Sequence, residues 1–178
     1  MKLLTTLFFC FLSFFISEND SEKIRWSEIY QLTWADFQGV PQAGSSYVAS
    51  TNSGMSFSFS FGNRNGEINY DYSIESNFYP KLSWYKKDQV SDYILKHEQT
   101  HFDISELHTR IFRKRMEESQ FSENIKTEVG ALYEKTETER KAMQKQYDEE
   151  TNHSQEIEAE HRWRNYVAEQ LIAYARWK

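Results

Sequence analysis

Residues 95–104 read LKHEQTHFDI, and the way this stretch winds decides the architecture of the second half of the chain. An α-helix turns about 100° per residue, so His101 returns to within about 40° of His97 one turn further along the axis. Helical winding also strings Val90, Ile94, His97, His101, Ile104, His108 and Ile111 along a single stripe, which must therefore face a core. Around this stretch, residues 88–178 hold no proline and a single glycine, Gly130, with charges interleaved at helical spacing. Asp88 is the candidate N-cap of a first helix reaching about Glu118. Ser122 to about Glu149 predicts a second, more polar helix with a thin apolar face of Val129, Leu132, Tyr133, Met143 and Tyr147. A break at Thr151–Ser154 leads to a third, for which Ser154 is the candidate cap. Glu156, Glu158 and Glu160 fall in its early turns and Arg176 and Lys178 at its end, an order that complements the helix dipole.

The first half has another texture. Residues 24–85 hold five of the six glycines and both prolines. Met55-Ser-Phe-Ser-Phe-Ser-Phe61 alternates apolar and small polar residues, the period of a strand with one buried face. After Gly62-Asn-Arg-Asn-Gly66 the alternation resumes at Ile68, Tyr70, Tyr72 and Ile74, which predicts an antiparallel hairpin with a loop of about five residues. Tyr47–Ser50 and Leu82–Tyr85 predict two further short strands, and LTWADFQG, residues 32–39, a strand end running into a turn. The fold class expected is α+β, a small antiparallel sheet from the N-terminal half packed with about three helices.

Length and composition narrow the class further. A chain of 178 residues suits one domain with a real core. Lys2 precedes an apolar run from Leu3 to Ile16, too short to span a bilayer comfortably, so residues 1–17 read as a secretory signal and 18–178 as the domain. The expected location is secreted or periplasmic, with an uncleaved membrane anchor as the alternative. Cys10, the lone cysteine, lies in that run; a mature chain without it has no disulfide, thiolate metal site or cysteine nucleophile. The net charge of −6 offers no basic stripe for nucleic acid and no polybasic membrane patch.

The chemistry resides in the histidine pair. Two imidazoles one turn apart converge on one ion, and Glu98, rotated by one position, lies beside that ion where a base acting on a water ligand must stand. The bland reading, two packed and hydrogen-bonded histidines, must find each a separate partner on a buried stripe, whereas one shared metal serves both. A catalytic zinc needs a third protein ligand and an open position. His108 lies about 10 Å beyond His101 along the axis, too far for one straight helix to coordinate with all three, so it reads as a core residue or as support for a ligand. Asp103 and Glu106 point away from the pair and read as solvated or salt-bridged. QYDEETNHSQ, residues 146–155, supplies the remaining candidates: His153, free in the break to project into a cleft, and its rival Asp148, which as easily holds a ligand imidazole or fixes the turn. His161 reads as surface or structural.

LTWADFQG, HEQTHFDISELHTR and YDEETNHS together resemble the bacterial family of domain of unknown function 922, labelled secreted zinc-dependent proteases, over about Ile29 to Trp177. The family pattern of HEQ-x-HF and later Tyr-Asp-x-x-Thr-x-His-Gly matches at His97, Glu98, Gln99, His101, Phe102, Tyr147, Asp148, Thr151 and His153, and departs at Ser154, where glycine is usual. The resemblance implies a zinc peptidase. The functional expectation is one Zn2+ per chain on His97, His101 and His153, with Glu98 as general base toward zinc-activated water, acting on a peptide or protein substrate. Tyr147 is the candidate oxyanion donor, with packing between helices as the alternative. Two rival readings stand beside it: a non-catalytic secreted zinc-binding module, and a zinc hydrolase acting on a cell-wall amide.

Overall fold

The computed structural model describes residues 23–64 and 67–178; the signal segment expected at 1–17 and Cys10 lie outside them. The strands are β1 (Ile24–Arg25), β2 (Ala49–Ser50), β3 (Ser53–Arg64), β4 (Glu67–Phe78) and β5 (Trp84–Tyr85), followed by the helices α1 (Asp92–Glu118), α2 (Ile125–Thr151) and α3 (Ile157–Ala173). The class is the α+β one that the sequence predicts. No helix among the described residues is long and apolar enough to cross a membrane.

β3 and β4 form one long antiparallel hairpin, with β1 on the far edge of β4. The ladder runs from Ser53↔Phe78 to Arg64↔Glu67, so two residues join the strands instead of five; Gly62 and Asn63 continue the pairing opposite Asn69 and Ile68. β2 and β5 leave the hairpin and pair with each other as a separate two-stranded sheet. LTWADFQG forms a short 3-10 turn at Trp34–Asp36, because the Asp36 carboxylate accepts from both the backbone N–H and the hydroxyl of Thr33. The first helix begins later than Asp88: Ser91 caps it, its hydroxyl accepting from the Ile94 N–H, while Asp88 lies in the preceding 3-10 turn. Ser154 caps nothing; Glu156 occupies the N-cap position of α3.

α1 is the element on which the rest is assembled. One side of it, with α2, closes on the hairpin through Met55, Ile74, Phe112, Met116, Ile125 and Val129. A second cluster, Leu32, Phe37, Phe78 and Phe102, fastens the N-terminal segment to the same helix. Gln99 secures that join, accepting from the Leu32 N–H at 2.8 Å and donating to Asp103 Oδ1 at 2.8 Å, where Trp26 Nε1 also donates. A third cluster, Ile104, Tyr147, Trp163 and Val167, sits between the three helices. Asp103 and Glu106, expected to be solvated or salt-bridged, are packed: burial raises both carboxyls above their ordinary values, and Glu106 does form a salt bridge, with Arg110 Nε donating to it at 2.8 Å. The guanidiniums of Arg110 and Arg113 reach the carbonyls of Leu171 and Trp177, pinning the chain's C-terminal end beside α1.

Candidate metal centre

Contacts between α1 and α2 run antiparallel: Arg115 meets Thr136, Ser105 meets Arg140, His101 meets Gln144, and His97 meets Asp148. α3 runs along the other side of α1 and brings Glu160 to His97. The HExxH turn is thus enclosed by three helices, open on the side of residues 46–53. Together they wall a cleft of about 710 Å³ that takes in Tyr47, His97, Glu98, His101, Asp148 and His153.

Three ligand atoms meet at its floor. His97 Nε2 and His101 Nε2 are 3.2 Å apart, His101 Nε2 and Asp148 Oδ1 3.1 Å, and His97 Nε2 and Asp148 Oδ1 3.3 Å. Donors on a tetrahedral ion at the usual zinc bond lengths stand about 3.3 Å apart, and this near-equilateral triangle has that spacing. His97, His101 and Asp148 form a group able to hold a metal ion.

The other nitrogen of each imidazole is already engaged. His97 Nδ1 lies 2.6 Å from Glu160 Oε1, and His101 Nδ1 donates to the Gln144 side-chain oxygen, whose amide nitrogen donates back to the His101 carbonyl at 2.8 Å. With both Nδ1 atoms donating, both Nε2 lone pairs point into the triangle. Three acceptors this close repel unless a cation lies among them. A proton on His97 is one such cation: burial lowers its pKa, but hydrogen bonds to Asp148 and Glu160 outweigh that and raise it to about 9. The same imidazoles hold the Asp148 carboxyl well below its ordinary range against a desolvation that raises it. A divalent ion suits the same donors, since two neutral imidazoles and a carboxylate make the ligand set of a catalytic zinc with positions to spare.

Glu98 lines the cleft beside this triangle, 5% exposed, and its Oε2 is buried without a partner. An unpaired buried carboxylate oxygen calls for a group to bond, and a water between it and the ion would serve. Its backbone carbonyl accepts from the Thr51 hydroxyl at 3.2 Å, which ties the chain beside β2 to this turn.

The DUF922 model, for bacterial proteins of unknown function, matches residues 30–154. The chain belongs to this family. No curated protein and no solved structure matches it. The DUF922 span carries the HExxH turn, Gln144, Asp148 and His153 and ends before α3, so Glu160 reaches the centre from outside the matched residues.

Of the residues the sequence singles out, His97, Glu98 and His101 come together with Asp148, the rival third ligand. His153 stands at the rim, its side chain 41% exposed, with Nδ1 3.4 Å from Asp148 Oδ1 and its ring 4.6 Å from that of Tyr47. It occupies the middle of three successive left-handed residues, Asn152 (φ 46°), His153 (φ 50°) and Ser154 (φ 69°), a turn that directs it back over the end of α2. Tyr147 is fully buried, stacked on His97 at 4.7 Å, and its hydroxyl donates to Glu160 Oε2 at 2.8 Å. Burial, then the Glu160 charge, pushes its pKa far up. Its hydroxyl therefore supports His97 through Glu160, the packed alternative to the oxyanion role. His108 is a core residue, Nδ1 bonded 3.0 Å to the Ile104 carbonyl, with its pKa lowered by burial. Glu160 and Gln144 are the residues that sequence reasoning misses. Glu160 does leave a trace: a carboxylate at helical spacing from Trp163 and Val167 lies on an apolar stripe, where it needs a buried partner.

Proposed function

We propose that this protein is an exported zinc-dependent peptidase. One observation carries the reading: two imidazole nitrogens and a carboxylate oxygen in a triangle of 3.1–3.3 Å, with both imidazoles held from behind, beside an unpartnered glutamate in an open cleft. A zinc ion bound there would polarise the substrate carbonyl and acidify a water molecule. Glu98 would accept a proton from the water that adds to the carbonyl carbon and deliver it to the amide nitrogen as the C–N bond breaks. Glu160 and Gln144 keep the Nε2 lone pairs of His97 and His101 directed at the triangle throughout.

Substrate alignment has a physical basis in β2. Lys86 N–H donates to the Val48 carbonyl at 2.8 Å and Ser50 pairs with Trp84, so by antiparallel alternation the backbone groups of Val48 and Ser50 face β5. Those of Ala49 lie on the opposite edge, where an extended peptide can pair with them.

The test is digestion of casein, a peptide library and cell-wall fragments by the wild type and Glu98→Ala, with zinc content measured in both. The expected result is stoichiometric zinc in both proteins and peptide cleavage in the wild type alone. Zinc without cleavage of any substrate sinks the peptidase reading, and cleavage of cell-wall fragments alone moves it to another amide.

A further inference from the structure

Beyond His101 the cleft continues toward the start of β3, and Arg140 stands in its wall. We propose that Arg140 anchors a carboxylate of the substrate, so that the cleft selects peptides bearing an acid group at a set distance from the scissile bond. The proposal deepens the peptidase reading and rests on it.

Arg140, Gln144 and Asp148 succeed one another at four-residue intervals on one face of α2, opposite Ser105, His101 and His97 on α1. Eight residues of helix put Arg140 about 12 Å from Asp148 along the axis. Arg140 is 9% exposed and its guanidinium is locked in place: Nε donates to Glu137 Oε2 at 2.8 Å, Nη2 to Glu137 Oε1 at 2.6 Å, and Nη1 to Ser105 Oγ at 3.3 Å. Ser105 Oγ is itself held by Ser53 Oγ at 2.8 Å and by the Gln144 amide at 3.3 Å. A guanidinium has five N–H donors, of which three are used here, and one remains on each terminal nitrogen. That leftover pair is available to a carboxylate. Arg113, which is structural, differs in giving Nε, Nη1 and Nη2 all to main-chain carbonyls.

Two neighbours keep the subsite open and cationic. Gly54 faces the guanidinium, and a Cβ there would come to 4.0 Å from Arg140 Nη2, so the missing side chain leaves an approach clear. Lys141 lines the same wall, 70% exposed and 3.6 Å from Glu137 Oε1, giving two cations against the single carboxylate of Glu137 at this end of the cleft. The metal end, with Glu98, Asp148 and Glu160, has the opposite sign. An extended peptide advances about 3.3 Å per residue, so a carboxylate held at Arg140 belongs to a residue about two or three positions from the bond being cut, allowing for side-chain reach. It comes either from an Asp or Glu side chain or from a free C-terminus.

Binding without turnover separates this proposal from the catalytic one. Zinc-loaded Glu98→Gln protein is titrated, by fluorescence anisotropy, with labelled alanine-based peptides carrying one Glu or one Gln at each position in turn, each as free acid and as C-terminal amide. At one position the Glu peptide should bind about tenfold or more tightly than its Gln partner, as a charge-assisted hydrogen bond in a desolvated site implies. A preference for acid over amide at that distance instead identifies the C-terminus as the source. The ratio should fall to about one when Arg140→Gln is added and persist in Arg140→Lys. Gly54→Asp, which leaves Arg140 and Glu137 in place and offers the guanidinium an internal carboxylate, should abolish it as well. A ratio is unmoved by a uniform loss of folded protein. Equal binding of every Glu/Gln and acid/amide pair, or a preference that survives both Arg140→Gln and Gly54→Asp, overturns the proposal alone. Stoichiometric zinc with no peptide bound overturns it together with the peptidase reading.

Discussion

Replacing Glu160 by glutamine probes the centre from a residue that touches no substrate. Glu160 is wholly buried, its Oε1 2.6 Å from His97 Nδ1 and its Oε2 2.8 Å from the Tyr147 hydroxyl. Glutamine keeps the shape and can still accept from Nδ1–H, while its amide nitrogen faces the Tyr147 oxygen, which turns to accept. What disappears is the charge behind the imidazole. Loss of such an outer partner weakens metal binding by about 10–100-fold, or about 1.4–2.7 kcal/mol. Alanine is a poorer probe, because it strands the His97 N–H and the Tyr147 hydroxyl in the core at about 1–3 kcal/mol each. Competition of metal-free protein with a fluorescent zinc chelator reads the affinity, with a thermal melt of each sample and the exposed Glu158→Gln as control. Glu160→Gln that melts like the wild type and binds zinc within twofold of it would refute the claim that Glu160 orients and charges His97.

Three further outcomes follow from the geometry. Asp148→Ala should lose stoichiometric zinc and His153→Ala should keep it, by elemental analysis of the purified proteins; the reverse would make His153 the third ligand. Folding raises the His97 pKa from 6.5 to about 9, so in metal-free protein its stabilisation is complete below about pH 6.5 and lost as pH rises through about 9. Zinc must displace that proton, so apparent affinity should climb about tenfold per pH unit up to about 9 and then level, whereas a flat profile from pH 7 to 9 in chelator competition would show His97 already neutral. Ser154→Gly should raise the urea midpoint by the equivalent of about 1 kcal/mol, since glycine adopts φ 69° without the penalty a Cβ incurs; a fall would mean that the Ser154 side chain is needed.

What the sequence reveals follows the range of the interactions. The hairpin and the HExxH helix are legible because both repeat, with period two in MSFSFSF and period 3.6 from Ile94 to Ile111, and each period marks the face that will be buried. The pairing of β2 with β5 is not, because two residues per strand carry no period and the partners meet only at the base of the β3–β4 hairpin, where the Tyr79 N–H donates to the Asn52 carbonyl and the Asn52 N–H to Ser83 Oγ. The burial of Asp103 and Glu106 is hidden for a related reason. A helical wheel assigns them to the polar side, but α1 is covered on nearly every side; Trp26 arrives from the N-terminal segment to satisfy Asp103, and Arg110, one turn on along α1, satisfies Glu106. Half of the centre is local, His97 with His101. The other half depends on α2 running back antiparallel and α3 crossing beside it, so Asp148, Gln144 and Glu160 reach the histidines only across 43 to 63 residues of chain.

The charge of the centre gives a reason for a cation independent of any motif. Asp148, Glu160 and Glu98 gather around two imidazoles, and Asp148 also lies in the last turn of α2, where the helix dipole adds negative potential. With both imidazoles neutral this is three negative charges in a largely buried volume, relieved by Arg164 near Glu160 and by a proton on His97. That proton neutralises one of the three, while His101 Nε2 and Asp148 Oδ1 still stand 3.1 Å apart. A divalent cation held by His97, His101 and Asp148 would neutralise two of the charges and leave His97 in the neutral form that Glu160 orients. The charge of the surrounding residues would then be better balanced with the cation than with the proton alone. Removing the ion should therefore loosen the contacts of Asp148 and the end of α2 before it disturbs the hairpin, whose core shares no residue with the site.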